Sequence, residues 1–226
     1  MGRRAQTLET IRSDFDRVAL AADERWDHNA HYHGHLLAQI PERCCQVLEV
    51  GCGTGAFARM LAARAERVFA VDLSPQMIRL ARERSRSHSN IEFIEGDAAA
   101  LEFPDEHFDC VATLTTLHHL PTEAALTKFK RALKPGGVFL CLDLYQRSSP
   151  TDVLLDCVAY PTSKLLRTFK TGRLRPPREV REAYAEHEKT DTYLTLPQIR
   201  RACSEMLPGA RVRRHLLWRY SIVWKK

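Results

Sequence analysis

The sequence predicts an α/β fold: a doubly wound, mostly parallel sheet of seven strands with an antiparallel C-terminal hairpin and a helical cap. Short apolar runs alternate with segments of helical periodicity between residues 47 and 142. Such alternation is typical of a parallel sheet covered by helices on both faces. A second observation predicts the hairpin: the last two strand-like runs are too close in the chain for a crossover helix.

Each predicted strand is a short apolar run. In chain order the predicted strands cover residues 47–50, 68–71, 91–94, 108–114, 138–142, 211–217 and 220–224. Helices are expected between them, over residues 56–67, from Pro75 onward, up to Leu133, and over 196–207. Ser74 is the expected N-cap of the helix that begins at Pro75, where the missing N–H costs nothing. The segment 134–137, Lys-Pro-Gly-Gly, is predicted to be a turn.

Two segments fall outside this alternation. Residues 1–40 have helical character and are rich in histidine, and residues 146–194 form an insertion rich in proline and arginine. We predict a single domain over residues 1–226, with residues 1–40 as an N-terminal helical lid and residues 146–194 as a cap. The insertion leaves the fifth strand at its carboxyl end, which is the edge of an open sheet where ligands bind.

The composition, 44% hydrophobic and 27% charged, is ordinary for a soluble globular protein. No apolar run is long enough to span a bilayer, and the N-terminus lacks the apolar stretch of a secretory leader. The seven cysteines include no CxxC pair, so we predict no metal site. We expect a cytoplasmic protein whose thiols are reduced.

A glycine-rich loop follows the first predicted strand, at residues 51–55. Glycine allows the tight turn and the close approach of backbone to ligand that this position requires. The loop alone leaves two cofactor classes open, because Gly51, Gly53 and Ala56 also satisfy the GxGxxG/A fingerprint of nicotinamide-dependent oxidoreductases.

Acidic residues at the strand ends help to separate these classes. Glu49, beside the loop, would repel a diphosphate, whereas S-adenosylmethionine carries a positive amino group and a sulfonium. Asp72, nineteen residues after Gly53, is placed to accept hydrogen bonds from the ribose of either cofactor. Asp97 is placed to accept from an adenine amino group, although Gly96-Asp97 is also an ordinary turn pair.

Taken in order, five motifs resemble those of the class I S-adenosylmethionine-dependent methyltransferases: VLEVGCGTG, AVDLS, EGDAAAL, FDCVATLTTLHHL and LKPGG. More narrowly, residues 45–145 resemble the small-molecule and quinone-type branch, and both ends of the chain resemble uncharacterised bacterial members. The resemblance implies S-adenosylmethionine as cofactor. It also implies the cofactor contacts: Gly51 and Gly53 along the methionine part, Asp72 on the ribose, Asp97 and Ala98 at adenine, Leu73 and Met77 packing on the cofactor, and Thr113 near the donor amino group.

Histidines lie where a methyl acceptor would bind. Methyl transfer depends mainly on alignment, and it needs a general base only when the acceptor must lose a proton. His118 and His119 follow the fourth strand, and His118 matches a histidine common in LHxL segments of such enzymes. A base role for His118 and a role in shaping the pocket both stay open. In the N-terminal segment, His28 and Tyr32 are predicted to close over the cofactor, with plain packing as the alternative.

The expected acceptor is a small molecule, and an apolar one is favoured. Enzymes of this fold that methylate nucleic-acid bases carry an Asn/Asp-Pro-Pro-aromatic segment after the fourth strand, where this chain has residues 113–116, Thr-Leu-Thr-Thr. The basic residues between 164 and 178 are interpreted as a solvated face, with phosphate binding as the alternative. The apolar run from Val153 to Phe169 is predicted to line the acceptor site, with a homodimer interface or a membrane-surface helix as alternatives. A non-catalytic S-adenosylmethionine-binding protein also stays open.

Overall fold

The computed structural model describes residues 7–20, 26–187 and 191–226. Its strands are β1 Cys44–Val50, β2 Ala65–Asp72, β3 Ile91–Glu95, β4 Phe108–Leu114, β5 Leu133–Leu144, β6 Arg211–Arg214 and β7 Arg219–Lys225. Its α-helices are α1 Leu8–Leu20, α2 Ala30–Leu37, α3 Ala56–Ala62, α4 Pro75–Arg84, α5 Thr122–Ala132, α6 Pro150–Thr171, α7 Arg178–His187 and α8 Leu196–Met206. A 3₁₀ turn covers Leu117–His119.

The strands form one sheet in the order β3-β2-β1-β4-β5-β7-β6. The pairs among β1 to β5 are all parallel, and β7 is antiparallel to both of its neighbours. The predicted fold class, including the terminal hairpin, is therefore confirmed. Strand order reverses between β1 and β4, so the carboxyl ends of these two strands define the crevice where a ligand is expected.

Alternate residues of β1 supply two apolar layers. Val47 packs with Phe57 and Leu61 of α3 on one face of the sheet, and Leu48 packs with Phe129 of α5 on the other. Val47 and Leu48 are both fully buried. A strand covered on both faces reads as a continuous apolar run, which explains why this strand was visible in the sequence.

The predicted end of the helix after β1 is wrong. The helix expected over residues 56–67 ends at Ala62, because β2 begins at Ala65, where it pairs with Cys44 of β1. Sheet pairing overrides the helical periodicity there. The side-chain amide of Asn90 fixes this junction by donating to the carbonyls of Ala62 and Ala65, at 2.9 Å each.

The predicted turn at residues 134–137 lies within β5 as an irregularity in the strand. Leu133 is opposite Phe108 of β4, but the next pair along joins Val138 to Cys110, so the intervening residues bulge from the ladder. Gly136 has φ +81°, which provides the bend. The predicted first strand of the hairpin also shortens, because β6 ends at Arg214.

The insertion after β5 returns close to its starting point. Gln146 bridges to Thr195, and the backbone N–H of Gln146 donates to the carbonyl of Leu194 at 2.9 Å. Between these ends lie α6 and α7. Among the described residues, no helix combines the length and apolar character that crossing a membrane requires.

Candidate functional site

The glycine loop joins β1 to α3 at the carboxyl edge of the sheet. Gly51, Gly53 and Gly55 all have positive φ, between +52° and +79°. A Cβ at Gly51 would lie 1.8 Å from Oγ1 of Thr116, so the protein itself requires glycine there. A Cβ at Gly53 would meet no described atom within 4 Å. Gly53 therefore borders open space that a ligand can occupy.

Asp72 holds the loop against the end of β2. Its Oδ2 accepts from the backbone N–H of Gly53 at 2.7 Å, and its Oδ1 accepts from that of Ser74 at 2.9 Å. Burial raises the pKa of Asp72 to about 6, although these backbone hydrogen bonds act in the opposite direction. Each carboxylate oxygen keeps a second lone pair, so Asp72 can still accept from a ligand.

Glu49 is a buried carboxylate beneath this loop. It is 1% exposed, and its Oε2 has no hydrogen-bond partner among the described residues. Burial, with a further contribution from the carboxylate of Asp72, raises its pKa well above the usual range, while the guanidinium of Arg59 opposes the rise. On the adjacent strand, Oγ1 of buried Thr113 also lacks a partner within the described chain. Unsatisfied buried polar atoms are uncommon in native proteins, so these two, in neighbouring strands beside the glycine loop, make this end of the sheet a candidate binding site.

The loop after β3 is rigidly held. Oδ1 of Asp97 accepts from the backbone N–H of Ala99 at 2.8 Å, which is the turn anticipated as the alternative role for this residue. The ammonium of Lys128 donates to the carbonyls of Ala98 at 3.3 Å and Ala99 at 2.6 Å. These bonds fix the position of the backbone that would face an adenine ring.

Of the two residues expected to pack on a cofactor, Leu73 is half-buried directly after Asp72. Met77 is buried on α4 and packs with Val18 and Ala19 of α1. The described contacts of Met77 are thus with the N-terminal helix.

The N-terminal helix α1 lies across the ends of β2 and β3. Oδ1 of Asp16 accepts from the hydroxyl of Ser74 at 2.5 Å, and Arg12 forms an ion pair with Glu95 at 3.0 Å. Asn29, just before α2, reaches the end of β4, where its amide donates to Oγ1 of Thr115 at 3.0 Å. The N-terminal segment thus contacts the carboxyl ends of β2, β3 and β4.

The two residues predicted for the lid differ in their surroundings. His28 hydrogen-bonds through Nε2 to the hydroxyl of Ser163 on α6 at 2.8 Å. Burial, assisted by the guanidinium groups of Arg219 and Arg167, lowers the pKa of His28 to about 4. Tyr32 is buried in the core on the α3 side of the sheet and contacts the ring of His215, with centroids 5.0 Å apart. His28 therefore joins the N-terminal segment to the cap, whereas Tyr32 has the surroundings of a packing residue.

His118 lies between two carboxylates. Its Nδ1 donates to Oδ1 of Asp143 at 2.6 Å, and its Nε2 is 3.7 Å from Oδ2 of Asp191. Burial alone would lower the pKa of His118, but Asp143 and Asp191 outweigh this effect and raise it to about 9. The imidazole is therefore protonated at neutral pH, which disfavours a general-base role.

His119 brings the same turn into contact with two other elements. The rings of His118 and His119 are 3.9 Å apart, and Phe15 of α1 meets His119 edge-on at 5.5 Å. Tyr193, from the insertion, donates its hydroxyl to Asp191 at 2.6 Å. Atoms of His118, His119 and Asp191 that could act as ligands lie within 4.8 Å of one another. Methyl transfer requires no metal, and the absence of a metal site stays a prediction.

Sequence reasoning missed both carboxylates around His118. Asp143 lies near the end of an apolar strand and is fully buried. It therefore carries the same sequence signal as Glu49, an acidic residue within an apolar run. Asp191 comes from the insertion and has no such signal. A cavity of about 240 Å³ adjoins His118 between the sheet, α5 and α8, and its lining combines apolar side chains such as Leu126 and Ile199 with polar ones such as Thr122 and Tyr193.

The predicted acceptor lining on α6 is wrong for most of its residues. Val153, Leu154, Val158, Tyr160, Leu165 and Phe169 are all exposed. Leu166 packs against the core and Leu155 is half-buried. Most of the apolar side chains of this helix therefore face solvent.

Comparison with known proteins places this geometry among the methyltransferases. Residues 47–137 match a family model described as a methyltransferase domain. An uncharacterized methyltransferase of Mycobacterium tuberculosis is 29% identical over 204 residues, which cover 90% of this chain and 98% of the relative. A ubiquinone/menaquinone biosynthesis C-methyltransferase of Pseudomonas putida is 31% identical over 159 residues, which cover 65% of this chain and 60% of the relative. The crystal structure of an S-adenosylmethionine-dependent methyltransferase from Aquifex aeolicus has the same fold, with a TM-score of 0.59, 17% identity, and coverage of 94% of this chain and 97% of that one.

Proposed function

We propose that this chain is a class I S-adenosylmethionine-dependent methyltransferase, which binds S-adenosylmethionine across its glycine loop and methylates a small-molecule acceptor. The observation that carries the proposal is the buried Oε2 of Glu49, which has no hydrogen-bond partner in the described part of the chain and lies near the open space at Gly53. A buried carboxylate is costly unless a cation or hydrogen-bond donor accompanies it. The amino group of the methyl donor supplies both, whereas the diphosphate of a nicotinamide cofactor would be repelled.

The residues present fit this cofactor along its whole length. Gly51 and Gly53 would face its methionine part, with Glu49 and Thr113 toward the amino group. Asp72 would accept from the ribose. Asp97 and Ala98 would contact adenine with their restrained loop, and Leu73 would pack beside it. When bound, S-adenosylmethionine supplies a methyl group that is already strongly electrophilic, so the protein needs mainly to align the acceptor in a site without water.

His118 acts in this proposal as a positioning residue. Its proton is shared with Asp143 and its other nitrogen faces Asp191, so the imidazole fixes the turn after β4 relative to the cap. A protonated imidazole cannot take a proton from the acceptor. The proposal therefore favours an acceptor that needs no proton removed by His118.

The acceptor is proposed to be small and apolar. The likeness to the Pseudomonas putida relative, which acts in quinone biosynthesis, supports this, and the cavity next to His118 offers space for a small molecule. The segment after β4 lacks the motif of base-methylating enzymes, which disfavours a nucleic acid.

Calorimetry with S-adenosylmethionine and with NAD tests the cofactor. We expect binding of the first and none of the second; the reverse result would favour an oxidoreductase. A screen of small quinones, phenols and carboxylic acids with labelled donor then tests activity. Label in any product, together with formation of S-adenosylhomocysteine, is expected. Donor binding without transfer to any acceptor would favour a non-catalytic binding protein.

A further inference from the structure

Helix α6 directs a stripe of large apolar side chains into solvent. Leu154, Val158, Leu165 and Phe169 are 69%, 53%, 72% and 83% exposed. At 3.6 residues per turn these four positions fall within a sector about 60° wide and extend about 22 Å along the helix. Ala159, about 110° around the helix from the centre of this stripe, is 2% exposed. The usual arrangement of an amphipathic helix is thus inverted.

The inner face of α6 is held by polar contacts, which fix the direction of the stripe. Asp152 forms an ion pair with Arg214 at 2.7 Å, and Asp156 accepts from the indole N–H of Trp218 at 2.7 Å. Further along, Ser163 bonds to His28 at 2.8 Å. Rotating the helix to bury the stripe would break all three contacts. The exposure of the stripe therefore follows from the packing.

Positive charge surrounds the C-terminal half of the stripe. Residues 157–181 contain seven lysines and arginines and one acidic residue. Lys170, Arg173 and Arg175 are exposed. The ammonium of Lys170 lies 6.0 Å from the ring centre of Phe169, a residue of the stripe. Aromatic and aliphatic side chains bordered by cations suit a surface that is apolar inside and anionic outside.

We propose that α6, with residues 172–178 after it, is a docking surface that lies flat on an anionic lipid membrane. Leu154, Val158, Leu165 and Phe169 would enter the boundary between headgroups and acyl chains, and the basic residues would contact the anionic headgroups. Membrane docking itself does not depend on the proposed function. The benefit of docking does rest on it, because a methyltransferase at the membrane would receive a lipid-soluble acceptor at its cap.

The same observations disfavour the other occupants. A second copy meeting this face would bring two strongly basic patches together, and like charges oppose such an interface. An acidic protein partner would need a groove shaped to a convex helix, whereas a fluid bilayer adapts to it.

Vesicle flotation tests the proposal directly. The wild-type protein is expected to float with vesicles containing 30% phosphatidylglycerol in phosphatidylcholine, to bind pure phosphatidylcholine about tenfold more weakly, and to be released by about 0.5 M salt. The double variant Leu165→Glu/Phe169→Glu should lose about tenfold or more in vesicle affinity. Leu20→Glu is the matched control, because Leu20 is 76% exposed but lies on α1; its vesicle binding should be unchanged.

Two results would overturn the proposal. One is equal vesicle binding by the wild type and the double variant, or no binding by either. The other is a lipid-free dimer in sedimentation velocity that the double variant abolishes, which would assign the surface to a second copy. Circular dichroism checks that each variant is folded. Calorimetry with S-adenosylmethionine separates the two proposals: vesicle binding without donor binding would defeat the proposed function and leave this inference standing.

Discussion

The glycine-loop region and helix α6 depart from the usual distribution of polar and apolar groups in opposite directions. At the loop, the carboxylate of Glu49 is buried without a hydrogen-bond partner for Oε2 among the described residues. On α6, Leu165 and Phe169 are apolar and exposed. Each arrangement is unfavourable for the isolated chain. Each is the starting point of one proposal: a cationic ligand at the loop, and an apolar surface that meets α6.

The two regions also differ in how tightly the protein holds them. The loop is fixed by short hydrogen bonds from Gly53 and Ser74 to Asp72. The stripe on α6 faces solvent, and the attachments of this helix to the rest of the chain are on its inner face. A preorganised pocket suits a small cofactor, whereas an open ridge suits a deformable partner.

The largest expected effect is at Gly53. Gly53→Val should reduce S-adenosylmethionine affinity by more than about a hundredfold, because the side chain would occupy space that the protein leaves open. Gly209→Val is the matched control, since Gly209 also has positive φ, +82°, and a Cβ there would likewise meet no described atom within 4 Å. Calorimetry measures S-adenosylmethionine affinity in both variants, and denaturation compares their stability. If Gly53→Val and Gly209→Val lost the same amount of S-adenosylmethionine affinity, the cause would be backbone strain and not a side chain that occupies the site.

A smaller loss is expected at Asp72. Asp72→Ala should weaken donor binding by about 1.5–3 kcal/mol, the range for hydrogen bonds to a charged acceptor. If Asp72→Ala bound the donor like the wild type, the ribose would have to lie elsewhere.

The pKa of Asp72 also predicts a pH dependence. Because it is raised from 3.8 to about 6, the folded state holds this proton more tightly than the unfolded state. The contribution of Asp72 to stability should therefore fall as pH rises from about 4 to 6, while donor affinity rises as the carboxylate ionises. Asp72→Asn should flatten the pH dependence of both stability and donor affinity. The variant keeps the neighbouring acids Glu49 and Asp16, so any change is due to Asp72. Identical pH profiles for wild type and variant would contradict this assignment.

The smallest effect on turnover is expected at His118. His118→Asn should alter acceptor affinity and change turnover at high pH by less than about threefold, whereas loss of a general base would lower it about a hundredfold or more. The raised pKa, from 6.5 to about 9, predicts a second signature. The stability that the protonated His118 gains from Asp143 is fully present below about pH 6.5 and is lost as pH rises toward 9. The difference in stability between the wild type and His118→Asn should therefore become smaller between about pH 6.5 and pH 9. Urea denaturation at several pH values measures it.

The loop region could be predicted because its parts are local in the chain. A buried strand, glycines and a helix follow one another, so Gly53 and Asp72 could be placed from the rule for strand ends. Asp191 could not be placed, because its approach to His118 depends on how the insertion folds back. The orientation of α6 was missed for a related reason. Periodicity identifies the apolar face of a helix, but the partners that turn this face outward, Arg214 and Trp218, come from the C-terminal hairpin.

The central claim is that Glu49 is buried in order to hold the cationic end of the donor, and Glu49→Gln tests it most directly. The substitution keeps the shape and removes the charge. We expect stability without ligand to rise, because a buried carboxyl group whose Oε2 lacks a hydrogen-bond partner among the described residues is replaced by a neutral amide, and S-adenosylmethionine affinity to fall about tenfold. Denaturation and calorimetry on the same preparation measure both. A variant that is more stable and binds the donor as tightly as the wild type would contradict the account.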